Sequence, residues 1–457
     1  MALTYQQMKL VKSTVPVLKE SGELIATTFY RDMLAENPRL REVFNSVNQK
    51  SGRQPRALTQ VMLSFANNVS HTSELIPTLE KICNKHCSLG IQQADYSIVG
   101  RYLILAFAHV LGPAWTPDVE LAWTKAYWVL AKMMIARESQ LYGEFGDWTS
   151  WRKFKISRKE RQSKALDAMV SFYLKPVNGK RLPPFFPGQY VSIQVRVPIS
   201  GLLQSRQYSL SEAPRREGDY YRITVKREEG GRYVGGGGGS KGSGSGSGRT
   251  GTAASSIRSI STTSTSSPRP PSATEQGPSY TCPGVVSNLL IDEMGEGDVV
   301  EVSHPSGEFF LDTNNDSSVP LVLISAGAGV TPMISILNSV LETQPSRDIS
   351  WIQGVRHTVP FEEHVRQIKR THPNVRTNVF KTELADGELT GATLHGRMDL
   401  AKVSRADLFL DHGAADFRCC GPEAFMIAVA QYLRDEKVEP SRIKFELFST
   451  GVMASTA

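Results

Sequence analysis

Apolar residues in the first 142 positions recur at intervals of three and four residues, the period of helices buried on one face. The pattern is clearest in YQQMKLVKSTVPVLKE, YSIVGRYLILAFAHVL and VELAWTKAYWVLAKMMIARESQLY. β-branched alternation is scarce, and Asn37-Pro38 and Gly112-Pro113 interrupt the helical pattern. The sequence therefore predicts an all-helical domain over residues 1–145.

The pattern changes after Trp148 to short alternating runs separated by Pro, Gly and Asp, among them GQYVSIQVRV and DYYRITVKREEGG. This spacing predicts an antiparallel β-barrel over residues 148–315. From Val319 onward, buried strands alternate with helical segments, as in VPLVLISAG followed by TPMISILNSVLET. That alternation predicts an α/β nucleotide-binding domain over residues 318–457.

A tract rich in Gly, Ser, Thr and Pro, residues 232–283, interrupts the second predicted domain. Its 52 residues contain too little apolar surface to build a core, so we expect a disordered insertion. The tract holds five basic residues and one acidic residue, and so carries +4 of the chain's formal charge of +7. Because the remaining +3 is not clustered, the charge does not indicate nucleic-acid binding.

Composition also indicates the cellular compartment in which the protein is expected. No stretch approaches eighteen consecutive apolar residues, so we expect no membrane span. The N-terminal segment lacks the pattern of a secretory signal, and five Cys suggest a reducing compartment. We therefore expect a cytoplasmic protein whose partners are small molecules.

One histidine falls on an apolar helix face. In IPTLEKICNKHCSLG, Leu79, Ile82 or Cys83, and His86 are spaced to share that face. Spacing alone favours a satisfied core histidine over a ligand.

The segments FYRDMLAENPRLREVFN, QPRAL, KHCSLGI, YSIVGRYL and AWTKAYWVLA resemble, in this order, the globin domain of the flavohaemoglobins. The resemblance implies haem b, with His86 as the proximal ligand of its iron and Phe44 against the haem plane. It also implies that Tyr30 and Gln54 lie on the distal side, where they can hydrogen-bond oxygen. Tyr96 and Glu138 would stand behind His86 and make it more electron-donating.

Four further motifs, PGQYVSI, RQYSL, GAGVTPMISIL and CGPEAFM, resemble in their order the ferredoxin-reductase-like flavoproteins, to which the second half of flavohaemoglobins belongs. The resemblance implies an FAD site. In it, Arg206 and the turn at Val286 and Ser287 hold the pyrophosphate, and Tyr190 lies near the adenine side. The FAD residues implied nearer the flavin are Gln207, Tyr208 and Ser209.

The same resemblance implies an NAD(P)H site. Small residues after a buried strand let a dinucleotide approach the main chain, and Arg356 sits where ribose or phosphate is held. Glu446 and Phe448 would lie over the flavin, and no acidic residue clearly selects NADH over NADPH. The remaining residues implied at this site are Gly327, Gly329, Thr331, Pro332, Cys420, Gly421 and Pro422.

The flavohaemoglobin resemblance implies a nitric oxide dioxygenase. Electrons would pass from NADH or NADPH to FAD and then to haem iron, and NO would be oxidised to nitrate with O2 in a detoxification reaction. Two alternatives stay open: a flavin-dependent reductase of external acceptors, and a sensor or store that binds O2 or NO. The catalytic residues implied are Tyr30, Gln54, Tyr96 and Glu138.

Overall fold

The N-terminal domain is helical, as predicted. The computed structural model describes residues 2–44, 52–162, 169–198, 200–228, 284–314, 317–384 and 393–448. Thr4 and Gln7 form a capping box that starts the first helix, and Thr116 caps the last. The helices are α1 Tyr5–Ser13, α2 Val15–Glu36, α3 Leu40–Val43, α4 Arg53–Asn67, α5 Ile76–Ser88, α6 Gln93–Leu111 and α7 Pro117–Gly143.

Close helix crossings build the core of this domain. A Cβ on Gly22 of α2 would lie 2.5 Å from Cγ2 of Thr59 on α4, so glycine permits this approach. In the part of the chain that the structure describes, one segment, Gln93–Ala114, is apolar and long enough to cross a membrane. It contains α6, which contacts α2 and α7 and buries Leu103 and Phe107 in the core. Those contacts are typical of a core helix.

The second domain is a six-stranded antiparallel sheet in the order β4-β3-β6-β1-β2-β5. A bridge between Leu210 and Ile223 joins the two ends of this order and closes the sheet into a barrel. Helix α8, Val285–Asp292, packs Val286 and Leu290 into the barrel core. The strands are β1 Arg152–Arg161, β2 Met169–Pro176, β3 Tyr190–Arg196, β4 Leu203–Ser209, β5 Tyr221–Lys226 and β6 Val299–Val302.

The predicted insertion, 232–283, lies outside the described residues. Its flanks are close together, because a Cβ on Gly284 would lie 2.5 Å from Cβ of Glu228. Strand β5 and helix α8 therefore adjoin across it.

The third domain is a six-stranded parallel sheet in the order β10-β9-β8-β7-β11-β12. Chain order reverses at β7, so the carboxyl ends of β7 and β11 form the crevice where such folds bind ligands. The strands are β7 Leu321–Ala326, β8 Ile349–Val355, β9 Val375–Lys381, β10 Thr393–His395, β11 Asp416–Cys420 and β12 Ile443–Glu446. The helices are α9 Val330–Thr343, α10 Glu362–Thr371 and α11 Glu423–Asp435. The predicted sequence of helical, β-barrel and α/β architectures is confirmed.

Candidate functional site

His86, in the last turn of α5, is fixed by a hydrogen-bond network on one ring edge. Its Nδ1 lies 2.9 Å from Oε1 of Glu138 and 3.2 Å from the hydroxyl of Tyr96. Tyr96 also donates to the same Glu138 oxygen at 2.5 Å. The carboxylate selects the tautomer with hydrogen on Nδ1, which leaves Nε2 as the basic nitrogen. The structure therefore brings His86, Tyr96 and Glu138 together, while their roles as ligand and supporting residues stay predictions.

Tyr30 and Gln54 form a second polar pair within the helical core. They share a hydrogen bond, and Gln54 Oε1 is buried without a partner among the described residues. The bond to Tyr30 therefore uses the amide nitrogen, which only donates, and the Tyr30 oxygen accepts. A hydroxyl that accepts in this way still carries its own proton and can donate it. Burial raises the pKa of Tyr30 far above its usual value, so the proton is retained at physiological pH.

Phe44 packs against Tyr30, with their ring centroids 5.4 Å apart in an edge-on arrangement. The His86 Nε2, the Tyr30 hydroxyl and the Gln54 Oε1, which has no partner among the described residues, are polar groups that a bound molecule can satisfy. These residues fit a haem with a polar distal side.

Helix α5 also joins the helical domain to the barrel. Asn84 Oδ1 accepts from the N–H of Gly307 at 2.9 Å. Ser192 of β3 donates to Ser88 Oγ at 3.0 Å, and Gln207 of β4 donates to Ser192 Oγ at 3.3 Å. The helix that carries His86 is thus hydrogen-bonded directly to the strands of the second domain.

A cleft lies at this junction. It receives side chains from α5, from the barrel and from the end of β12. The cleft groups Tyr190, which was predicted near the adenine side, with Ser209 and Glu446, which were predicted at the flavin ring. Its lining residues are Lys81, Lys85, Tyr190, Gln207, Ser209, Glu308, Glu446, Leu447 and Phe448.

Two charged groups in the cleft are strongly affected by burial. Desolvation, aided by Lys81, lowers the pKa of Lys85 to about 8. Burial and the nearby Glu308 carboxylate raise the pKa of Glu446 to about 8. Glu446 is buried, whereas Phe448 is half exposed at the mouth. At neutral pH the Glu446 carboxyl group is therefore protonated, and the Lys85 ammonium loses its proton more readily than usual. A polar ring system bound in the cleft would meet both groups.

Tyr208, which was predicted near the flavin, meets Ser287, which was predicted at the pyrophosphate, at the first turn of α8. The hydroxyl of Tyr208 lies 3.0 Å from Ser287 Oγ, and Val286 beside it is fully buried. Burial lowers the pKa of Arg206 and raises that of Tyr208 to about 12. An anion beside Arg206 offsets the cost of burying its charge. A cation, a helix start and two hydroxyls fit the phosphates of FAD.

Gly327 and Gly329 lie between β7 and α9, at the topological switch point. A Cβ on Gly329 would lie 2.0 Å from the carbonyl oxygen of Cys420, so only glycine allows this packing. Gly327 has φ +55°, and a Cβ there would lie 3.7 Å from Lys226 Nζ. Small residues and a facing ammonium suit a dinucleotide phosphate.

The other predicted nucleotide residues adjoin this crevice. Thr331 donates to the Ala328 carbonyl at 2.9 Å and is buried with Pro332 at the start of α9. Cys420 is fully buried, and burial raises the pKa of its thiol well above the usual value. Gly421 and Pro422 connect β11 to α11. Arg356 lies farther along the sheet edge, after β8.

Sequence reasoning did not identify Lys85, Glu308 or Lys226 as site residues. The position of Lys85 next to His86 was a usable signal. Neighbouring helix residues point to different sides, so Lys85 and His86 can line two different sites. Glu308 and Lys226 are brought to the site only by domain packing.

Comparisons with known proteins agree with this architecture. Residues 27–134 match the Globin family model, and residues 323–431 match the Oxidoreductase NAD-binding domain model. A flavohemoprotein of Bordetella parapertussis is 37% identical, with 97% of this chain and 98% of that protein covered. A flavohemoprotein of Bacillus subtilis is 35% identical, with coverage of 98% and 97%.

A flavohemoglobin structure from Malassezia yamatoensis, with bound FAD and heme, superposes with a TM-score of 0.76 at 26% identity. The superposition covers 98% of this chain and 100% of the Malassezia chain. Together with the globin and NAD-binding matches, this confirms the predicted cofactor set of haem, FAD and NAD(P)H. The chain belongs to the flavohemoprotein (flavohaemoglobin) family, oxidoreductases that join a globin to a flavin- and nicotinamide-dependent reductase.

Proposed function

We propose that this chain is a nitric oxide dioxygenase that consumes NO with O2 and electrons from NAD(P)H. Each NO takes up one O2 and one electron to give nitrate. The observation that carries the proposal is the 2.9 Å contact between His86 Nδ1 and the buried Glu138 carboxylate. A carboxylate at this position increases electron donation by the imidazole, which favours oxygen activation over storage.

The chain's residues divide the work between two regions. When bound, FAD converts a hydride into single electrons, and haem supplies the iron at which O2 and NO react. His86 Nε2 would hold the haem iron, and the Tyr30 hydroxyl would donate a hydrogen bond on the distal side. Arg206 and Ser287 position FAD, while Gly327 and Gly329 admit the nicotinamide nucleotide. Because α5 carries both His86 and Lys85, one helix borders the haem site and the flavin cleft.

The buried position of both regions supports oxidation of a small gas rather than of a large acceptor. Tyr30 on the distal side and Glu138 behind His86 are each buried, so a reaction beside Tyr30 would be separated from bulk water. A reductase of external acceptors does not require this polar distal pair. A cytoplasmic setting for NO detoxification stays a prediction.

The test is NO consumption by holoprotein under air, measured with an NO electrode together with nitrate and NAD(P)H. We expect two NO consumed per NAD(P)H. His86→Ala should abolish NO consumption and retain reduction of ferricyanide, while His109→Ala, on an exposed helix position, should leave both unchanged. Holoprotein that reduces ferricyanide but consumes no NO would establish the reductase alternative. Binding of O2 or NO without NAD(P)H oxidation would establish the sensor alternative.

A further inference from the structure

An ionic cluster lies at the carboxyl ends of β8 and β9. Arg356 Nε lies 3.3 Å from Oε1 of Glu383, and His357 Nδ1 lies 3.0 Å from Oε2 of the same carboxylate. The main chain fixes the approach, because Glu383 N–H donates to the Arg356 carbonyl at 2.9 Å. The side chains are 59%, 41% and 54% exposed for Arg356, His357 and Glu383. A solvent-borne ligand can therefore reach the cluster.

The cluster stands where a dinucleotide places its adenosine ribose. In such sheets the pyrophosphate binds at the first strand-to-helix turn, and the ribose lies at the end of the next strand. Here the first turn is Gly327–Gly329, and β8 pairs in parallel with β7, with Gly354 opposite Ala326. Arg356 follows Gly354 by two residues on the same edge. An acidic residue here would bind the 2′-hydroxyl of NADH, whereas arginine suits the 2′-phosphate of NADPH.

We propose that Arg356 and His357 form a subsite for the 2′-phosphate of NADPH, and that Glu383 occupies it until the nucleotide binds. The two Glu383 oxygens each engage a different donor, which is the arrangement that two phosphate oxygens adopt between an arginine and a second N–H donor. The protein accordingly prefers NADPH. Glu383 moderates this preference, because its carboxylate must leave the donors when phosphate arrives.

This inference rests on the nicotinamide-binding domain and is independent of the reaction at haem. It is therefore tested with ferricyanide as the electron acceptor, so that a failure of NO oxidation does not affect the result. Holoenzyme kcat/KM is measured for NADPH and for NADH, together with inhibition by 2′,5′-ADP and 5′-AMP.

We expect kcat/KM for NADPH to exceed that for NADH by about tenfold or more. Arg356→Gln should lower the NADPH value about ten- to a hundredfold and leave the NADH value within about twofold. Glu383→Gln should raise the NADPH value and tighten inhibition by 2′,5′-ADP but not by 5′-AMP. Arg366→Gln is the matched control, because Arg366 is an exposed arginine of the same domain that also holds two carboxylates, Glu362 and Glu363.

Three outcomes overturn the proposal. Equal kcat/KM for the two nucleotides in the unaltered protein excludes a selective phosphate subsite. An equal loss for both nucleotides in Arg356→Gln assigns this arginine to a part that they share. Loss of NADH use in Glu383→Gln assigns the carboxylate to the 2′-hydroxyl of NADH.

Discussion

The side-chain amide of Asn288 bonds both main-chain polar groups of Glu228: its oxygen accepts from the N–H at 3.1 Å, and its nitrogen donates to the carbonyl at 3.2 Å. Glu228 is the last described residue before the segment 229–283, and Asn288 lies in the first turn of the helix that follows it. An ion pair between Arg227 and Asp292 reinforces the junction. The two flanks are held together by local contacts.

Deleting residues 232–283 should therefore preserve FAD binding. The connection between Glu228 and Gly284 would shorten from 55 residues to three, about four halvings of loop length. At roughly 0.6 kcal/mol per halving, the barrel gains about 2 kcal/mol of stability. The ratio of FAD to haem in purified protein and the thermal midpoint of the flavin domain measure the effect.

Asn288→Ala should instead lower FAD content, whereas Asn314→Ala, in an exposed loop, should not. Loss of FAD from the deletion variant would show that the tract itself contributes to the site.

Tyr30→Phe should accelerate dissociation of O2 from the ferrous holoprotein by about tenfold or more. The substitution removes the buried phenol hydroxyl, while the ring keeps its packing against Phe44. Stopped-flow measurement of O2 dissociation checks this directly. Tyr102→Phe is a suitable control, because the Tyr102 hydroxyl donates to Glu36 and not to this pair. An unchanged dissociation rate in Tyr30→Phe would place the oxygen donor elsewhere.

Gly329→Ala should disrupt the nicotinamide site specifically. A methyl group there overlaps the Cys420 carbonyl oxygen at 2.0 Å, which forces α9 away from β11. We expect a loss of at least about 2 kcal/mol in stability of the third domain. The observed rate of FAD reduction by NADPH should fall sharply, with FAD and haem content retained. Gly413→Ala is the control, since nothing lies within 4 Å of a Cβ at that position. Normal FAD reduction in Gly329→Ala would be incompatible with the tight packing.

The order of the three domains and most of their elements could be predicted from sequence, because helix and strand periods are local properties. RQYS is part of β4 and FRCC is part of β11, as the alternating and buried patterns indicated. His86 was ambiguous by spacing alone and was assigned through the family resemblance. The 2.9 Å contact with Glu138, 52 residues away, then supplied the physical reason.

Contacts that depend on domain docking or sheet register could not be predicted. Lys85 reaches the flavin cleft because Asn84 and Ser88 on the same helix bond to the barrel, at sequence separations of more than 100 residues. Glu383 meets Arg356 only because β8 and β9 pair with Val355 opposite Lys381. Neither relationship has a local sequence signal.

His304 at the interface between globin and barrel should make stability depend on pH. Its ring is buried and stacks on Phe145 with centroids 4.4 Å apart. Its Nδ1 donates to the Pro305 carbonyl at 2.9 Å, and Nε2 is buried without a partner among the described residues. Burial lowers the pKa of His304, because a charged imidazole is poorly solvated there.

The direction in which stability changes with pH follows from proton binding by His304. Below a pH of about 6.5 the unfolded chain protonates this histidine while the folded chain does not, so stability falls as pH decreases. The contribution at pH 5.5 is at most about 1.4 kcal/mol. His304→Phe keeps an aromatic ring for stacking and removes the titration. We expect its thermal midpoint to fall less than that of the unaltered protein between pH 7.5 and 5.5. His395→Gln, at an exposed position on β10, should behave like the unaltered protein. Equal pH dependence in His304→Phe and the unaltered protein would mean that His304 accepts a proton in the folded state.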